Sequence, residues 1–243
     1  MIVSAHLGDC ILIAADKRAM ACDLETGSMH PSHDEEQKIR RWSLGAIAGT
    51  GEVIFLNRVM DYFSNFQVEE QKLKQMDVIY EEIEKRLLEG VPKEALMNNS
   101  LIFSIFDGEQ SRLYTIPIEP FFKEIKRKDG IEVIRPYLHE IHPWIIDVTC
   151  FNLPPDMSNL QNFQRNLRSL SSFESELSFL KYYTQQLKQV FAVQASIDPS
   201  ITTSFDLYIQ ICATGHSLAL HIENPVLSSP IPKELNYWNR KKT

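Results

Sequence analysis

The chain has 243 residues, 44% hydrophobic and 23% charged, with a formal net charge of −7. That length and composition suit a globular protein with one sizeable domain or two small ones, large enough to bury well over half of its surface. The acidic balance, with no basic stripe against it, excludes a nucleic-acid surface, and no apolar run reaches the ~18 residues of a membrane-spanning helix.

Residues 2–7 read as a strand, Gly8-Asp9 as a tight turn and Cys10–Ala15 as a second, almost continuously apolar strand, which is a hairpin signature. The second strand delivers Asp16-Lys17-Arg18 straight out of the core. Burying charge is costly unless it is paired, so these residues require a partner, and Lys38 within Glu35–Arg41 supplies one. Ala19–Cys22 continues as a short strand, and Asp23–Asp34 reads as a polar loop with Gly27, Pro31, His30 and His33. No cysteine or carboxylate cluster completes a coordination set around those histidines, so they read as solvated. Gln37–Arg41 and Leu44–Ala48 form a second hairpin around Trp42-Ser43.

Gly49-Thr50-Gly51 turns that hairpin into a helix beginning at Glu52. Its apolar residues Val53, Ile54, Leu56, Val59, Met60 and Phe63 recur at spacings of three and four. A second helix spans Val68 to Gly90, with Ile79, Ile83 and Leu87 facing inward and a charged, solvated outer face. Gly90-Val91-Pro92 ends it. Ser100–Phe106 and Arg112–Ile116 make a third hairpin around Asp107-Gly108-Glu109. Phe121–Lys126 and Ile131–Pro136, joined by Lys128-Asp129-Gly130, make a ribbon that reads as a protrusion at a subunit interface. His139 and His142 fall in a strand, where positions three apart face opposite ways, so they read as structural rather than as a metal pair. Asp156–Leu170 and Phe173–Ala195 are two further helices, the second closed by Asp198-Pro199. Strands Phe205–Ala213 and Ser217–Ile222 follow, joined through Gly215.

Residues 1–222 therefore read as one domain, and 223–243, with Pro225, Pro230, Pro232 and Arg240-Lys241-Lys242, as a C-terminal tail. The element order is strands, two helices, strands, two helices, strands. That order fits an α+β fold, a four-layer αββα sandwich with two sheets packed face to face between helix pairs, and not a doubly wound parallel sheet. Cys10, Cys22, Cys150 and Cys212 are widely spaced and lack a Cys-x-x-Cys pair. They read as mostly buried thiols in a reducing cytoplasm, which agrees with an N-terminus lacking the pattern of a secretory signal.

Several of these pieces together resemble the proteasome family. Its β-type subunits, and the bacterial two-component peptidase, open with a hairpin of the form Ile-Val-x-x…Leu-Ala-Ala-Asp-x-Arg-Ala. A Lys-x-Ile strand and a Gly-rich turn into a long helix follow. The corresponding residues here are Ile2-Val3-Ser4, Ile13 to Ala19, Lys38-Ile39 and Ala46 to Glu52. The match covers the N-terminal third and fades after about residue 110. It implies the N-terminal nucleophile hydrolase fold and assembly into homo-oligomeric rings, with an ATPase or other proteasome-like subunits as further partners. In that family an N-terminal threonine hydroxyl attacks a peptide carbonyl, and its own α-amine takes the proton. The resemblance carries to Lys38 the role of tuning that site electrostatically and to Asp16 the role of holding the lysine. It gives Arg18 a place beside them and offers Gly49 as the oxyanion amide, the alternative being that the small residues of that turn only permit close strand-to-helix packing. It implies no cofactor and no metal.

The chain departs from this pattern at two points. Met1 falls in the region of the threonine, and a thioether cannot be deprotonated or form an ester intermediate. Between His139 and Pro155, where active members have a Gly-Ser-Gly-like turn, this chain has Pro143 to Pro155 with no such turn. Ser4 and Cys10 offer no substitute, because neither has an α-amine as its base. No Gly-x-Ser-x-Gly elbow and no phosphate-cradling loop is present. The expectation is a proteasome-like, non-catalytic subunit. The alternative is a threonine-type peptidase with atypical processing.

Overall fold

The computed structural model describes residues 1–23, 28–66, 73–122, 124–127, 130–133, 136–150 and 153–225. In chain order β1 is Ile2–His6, β2 Cys10–Asp16, β3 Ala19–Cys22, β4 Met29–His33, β5 Ile39–Trp42 and β6 Gly45–Thr50. Helices α1 (Val53–Ser64), α2 (Gln75–Leu88) and α3 (Lys93–Met97) follow, then β7 (Ser100–Phe106) and β8 (Ser111–Pro117). The chain continues with β9 (Glu124–Arg127), β10 (Gly130–Val133), β11 (His139–Glu140) and β12 (Ile146–Thr149). The last elements among the described residues are α4 (Met157–Arg165), α5 (Glu176–Ile197), β13 (Phe205–Ile211) and β14 (Ser217–Ile222).

Among the described residues two five-stranded antiparallel sheets form, in the orders β12-β1-β2-β13-β14 and β11-β8-β7-β6-β5, together with the two-stranded ribbons β3-β4 and β9-β10. The first hairpin closes at Gly8, whose φ of +89° lies where glycine is favoured. Its register runs from Ile2 opposite Ala15 to His6 opposite Ile11. Every residue of β1 and β2 is buried, because both faces of this hairpin are covered. Alternation along the strand sorts the side chains. Ile11, Ile13 and Ala15 join Ala46, Ala48, Ile102 and Leu113 of the other sheet in one cluster. Leu12 and Ala14 join Leu207, Phe179, Tyr183 and Phe191 in another, toward α5. The outer face of the second sheet gives Ile47, Leu101 and Phe103, which pack on Phe55, Val59 and Phe63 of α1 and Ile79 and Ile83 of α2.

Four segments differ from the sequence reading. Met29–His33 is an exposed strand paired with β3, not a loop; Pro31 is tolerated because the ribbon has only two strands, leaving one side of each unpaired. Ile146–Thr149 pairs with β1 and forms the edge of the first sheet. Phe121 and Phe122 lie in a 3-10 turn at Glu119–Phe122, so the second ribbon begins only at Glu124. The five-residue α3 was not anticipated. Of the expected ribbon turn, Lys128 and Asp129 lie outside the described residues, as do the first residues of the expected second helix through position 72. The expected tail lies outside them from residue 226 onward. Among the described residues no helix is long and apolar enough to cross a membrane.

Candidate functional site

The first hairpin sets Asp16 at the open end of β2, with its side chain wholly buried. The carboxylate accepts four donors. Oδ1 takes the Met1 α-amine and Lys38 Nζ, the latter at 2.8 Å. Oδ2 takes the backbone N–H groups of Arg18 at 2.9 Å and Thr202 at 3.4 Å. Met1 is fixed a second time, because its carbonyl accepts the Asp16 N–H at 3.1 Å. Burial by itself would raise the Asp16 carboxyl, but the charges of the Met1 amine and Lys38, with their hydrogen bonds, hold it below the usual carboxylate value. Burial lowers the Met1 amine against the pull of Asp16, with Lys38 adding to the drop.

Arg18 leaves this cluster. Its Nε and Nη2 form a fork on Asp34 at 2.6 and 2.7 Å, and Nη1 donates to the Pro199 carbonyl at 2.6 Å. It ties the segment after β4 to the turn after α5, and only its backbone N–H reaches Asp16. Gly49 lies at the end of β6, where a Cβ would stand 2.6 Å from a Leu56 methyl and 3.0 Å from one of Leu101. Close packing of α1 on the sheet thus accounts for glycine there. Gly51 makes the actual turn, with φ +133° and its Cβ position against Asn99. Asn99 Oδ1 accepts the Glu52 N–H at 2.7 Å, and the Glu52 carboxylate in turn caps α1 by accepting from Ile54 and Phe55.

Met1, Lys38, Gly49, Thr50, Leu56 and Met60 share the wall of a cavity of about 300 Å³. Thr50 is 6% exposed, and its Oγ1 has no hydrogen-bond partner among the described residues. Residues that the sequence reading passed over complete the wall: Cys150, at the end of β12, and Asp198 and Ser200, in the turn after α5. Burial pushes the Cys150 thiol above its ordinary value, against the pull of the Met1 amine, so it is no ready thiolate at neutral pH. The same turn supplies Thr202, whose Oγ1 also accepts the Lys17 N–H at 3.0 Å. The polar run Asp198 to Ser204 was the available signal, read only as the end of a helix. Chemically the site offers a buried amine and an ammonium on one carboxylate, beside a mostly apolar cavity. Residue 1 brings to it no hydroxyl and no thiol. No group of three or more His, Cys, Asp or Glu among the described residues could hold a metal ion.

No family model and no curated protein matches the chain. Its fold is similar to that of Anbu (ancestral beta-subunit) from Yersinia bercovieri, with a TM-score of 0.57 and 12% identity over 92% of this chain and 88% of that one. It is also similar to Anbu from Hyphomicrobium sp. strain MC1, with a TM-score of 0.53 and 15% identity over 91% and 86%. A Gly-1 mutant of the latter matches to the same degree. The likeness is one of fold, and at this coarse level the arrangement of antiparallel sheets and helices is proteasome-like.

Proposed function

We propose that residues 1–222 form a four-layer αββα domain of the N-terminal nucleophile hydrolase type, and that the chain is a proteasome-like subunit without peptidase activity of its own. The observation that carries this reading is the residue bonded to Asp16 beside Lys38. It is Met1, and a thioether gives no route to a covalent acyl intermediate. Asp16, Lys38 and the Arg18 backbone then act as a structural cluster that orders the end of the first hairpin. Assembly into homo-oligomeric rings, alone or with other proteasome-like subunits or an ATPase, is the role that remains for such a chain.

A second reading is a threonine-type peptidase whose nucleophile is exposed by processing. The intact Asp16–Lys38 pair and the cavity in front of it favour this reading. The deciding measurement is the intact mass of the purified protein, with and without a peptide epoxyketone that labels N-terminal threonines. An unlabelled mass near 28.1 kDa with Met1 retained is expected, and Lys38→Ala then alters stability alone. A chain with a different N-terminus carrying one adduct would overturn the non-catalytic reading and make Asp16 and Lys38 supporting residues of catalysis.

A further inference from the structure

A cavity of about 390 Å³, sharing no lining residue with the one at Met1, is walled by β5 of one large sheet and by β13 and β14 of the other. Alternation along the strands sets which side chains reach it. Ile39 of β5 and Tyr208 of β13 both belong to the apolar cluster between the sheets. Arg41, two residues after Ile39, and Asp206, two before Tyr208, therefore project from the same inner faces. His221 stands opposite Asp206 in the register of β13 and β14 and joins them. Lys17, after β2, and Glu35, before β5, complete the charged part of the wall.

Half of these polar groups already have partners. Asp206 Oδ1 lies 2.8 Å from His221 Nδ1, and its Oδ2 lies 3.7 Å from Lys17 Nζ. The other three are uncommitted. Neither the Arg41 guanidinium nor the Glu35 carboxylate makes an ion pair or a hydrogen bond among the described residues. Tyr208 is wholly buried, and its hydroxyl, near the Ser104 and Ser217 side chains, makes no hydrogen bond among the described residues either. Burial holds its phenol above the ordinary value, so at neutral pH it keeps a proton to donate. A buried donor without an acceptor is costly, and the Arg41 charge reaches this same hydroxyl. The cavity thus presents one free cation and one free donor together, and one free anion.

We propose that this cavity binds a free amino acid, its carboxylate taken by Arg41 and the Tyr208 hydroxyl and its ammonium by Glu35. A guanidinium fork matches the two oxygens of a carboxylate, and the phenol adds a third donor. Phosphate fits the same fork, but its second negative charge would face Glu35 and Asp206 in a chain already at a net charge of −7. A plain carboxylate such as acetate satisfies the donors and leaves Glu35 unmet. A zwitterion answers all three groups and adds no net charge. The volume falls within the range of about 300–1,000 Å³ usual for small-molecule sites. The cavity owes nothing to the cluster at Asp16, so this binding holds whether or not the chain has peptidase activity.

The test is calorimetric titration of the full-length protein with each of the common amino acids in turn, and with acetate and inorganic phosphate. At least one amino acid is expected to bind about tenfold more tightly than either anion. Arg41→Gln, at an exposed position, is expected to weaken that amino acid about tenfold, and Tyr208→Phe several-fold, with circular dichroism unchanged in both. Binding of no amino acid overturns the proposal. Equal binding of acetate or phosphate overturns it too, by leaving a site for anions only. So does an Arg41→Gln variant of unchanged affinity, because the ligand then sits elsewhere. Should Tyr208→Phe fail to fold, the exposed Glu35 decides. Glu35→Gln should weaken the amino acid several-fold and leave acetate as it was, and an unchanged amino-acid affinity overturns the assignment.

Discussion

The carboxylates of Asp16 and Glu52 each accept four donors, but from very different depths and distances along the chain. Asp16 is wholly buried and gathers residues 1, 18, 38 and 202. Glu52 is about one-fifth exposed and draws on its own helix, through the N–H groups of Ile54 and Phe55, and on Arg86 of α2 at 3.1 Å from each oxygen. The network extends outward through Glu89 and Arg58, each 41% exposed, and Arg58 also stands 2.8 Å from the buried Glu82. In the buried cluster, three of the four donors, from residues 1, 38 and 202, are satisfied only because distant segments have already packed. In the helical one, residues 52–89 suffice, and solvent can replace a lost partner. Buried pairs add little against an apolar substitute but are costly to break, whereas exposed pairs are worth little either way.

Asp16→Ala tests the contrast most severely. It leaves the Lys38 ammonium and the Met1 amine without their counter-charge, and a loss of about 3–5 kcal/mol in urea unfolding is expected. A loss no larger than that of a surface substitution would mean that the cluster is already hydrated. The same carboxyl gives the contrast a pH signature. Because its folded pKa is depressed, its contribution is fully present above the ordinary carboxylate range, about pH 4, and is lost as pH falls through the lower folded value. Asp16→Asn should flatten that acid limb, and an unchanged limb would assign it to other groups. Glu52→Ala ranks next. Losing the cap of α1 costs about 1 kcal/mol, typical of N-cap replacements, measured as the shift in urea midpoint. Arg58→Ala ranks last, with no resolvable change in thermal midpoint. A clear drop there would show that the helical network is coupled more tightly than its exposure suggests.

The sequence made some of this legible and hid the rest for a physical reason. The hairpin from Ile2 to Asp16 was readable because its apolar runs and Gly8 turn are local. The Asp16–Lys38 contact needed only the recognition that charge emerging from a core must be met. Thr202, Asp198 and Cys150 come to the same place through β13, α5 and β12, and no periodicity in a single chain announces such neighbours. β12 itself was missed because Trp144 to Thr149 was judged by the turn it lacks rather than by its own alternation. Pro31 and two histidines made β4 look like a loop, since propensity says little about a two-stranded ribbon in water. Gly49 was read either for its amide or for close strand-to-helix packing, and which methyls exclude a Cβ there, those of Leu56 and Leu101, became visible only in three dimensions.

The pairing of β2 with β13 also orders events in time. Its register joins Cys10 to Ile211 and Asp16 to Phe205, so the first sheet cannot close until β13 has left the ribosome. The second sheet draws all its strands from residues 39–140 and can assemble while synthesis continues. Loop closure over such separations is slow and leaves unpaired strands waiting. The apolar hairpin of β1 and β2 is thus made well before β13 can pair with β2, and over that interval this edge stays unpaired.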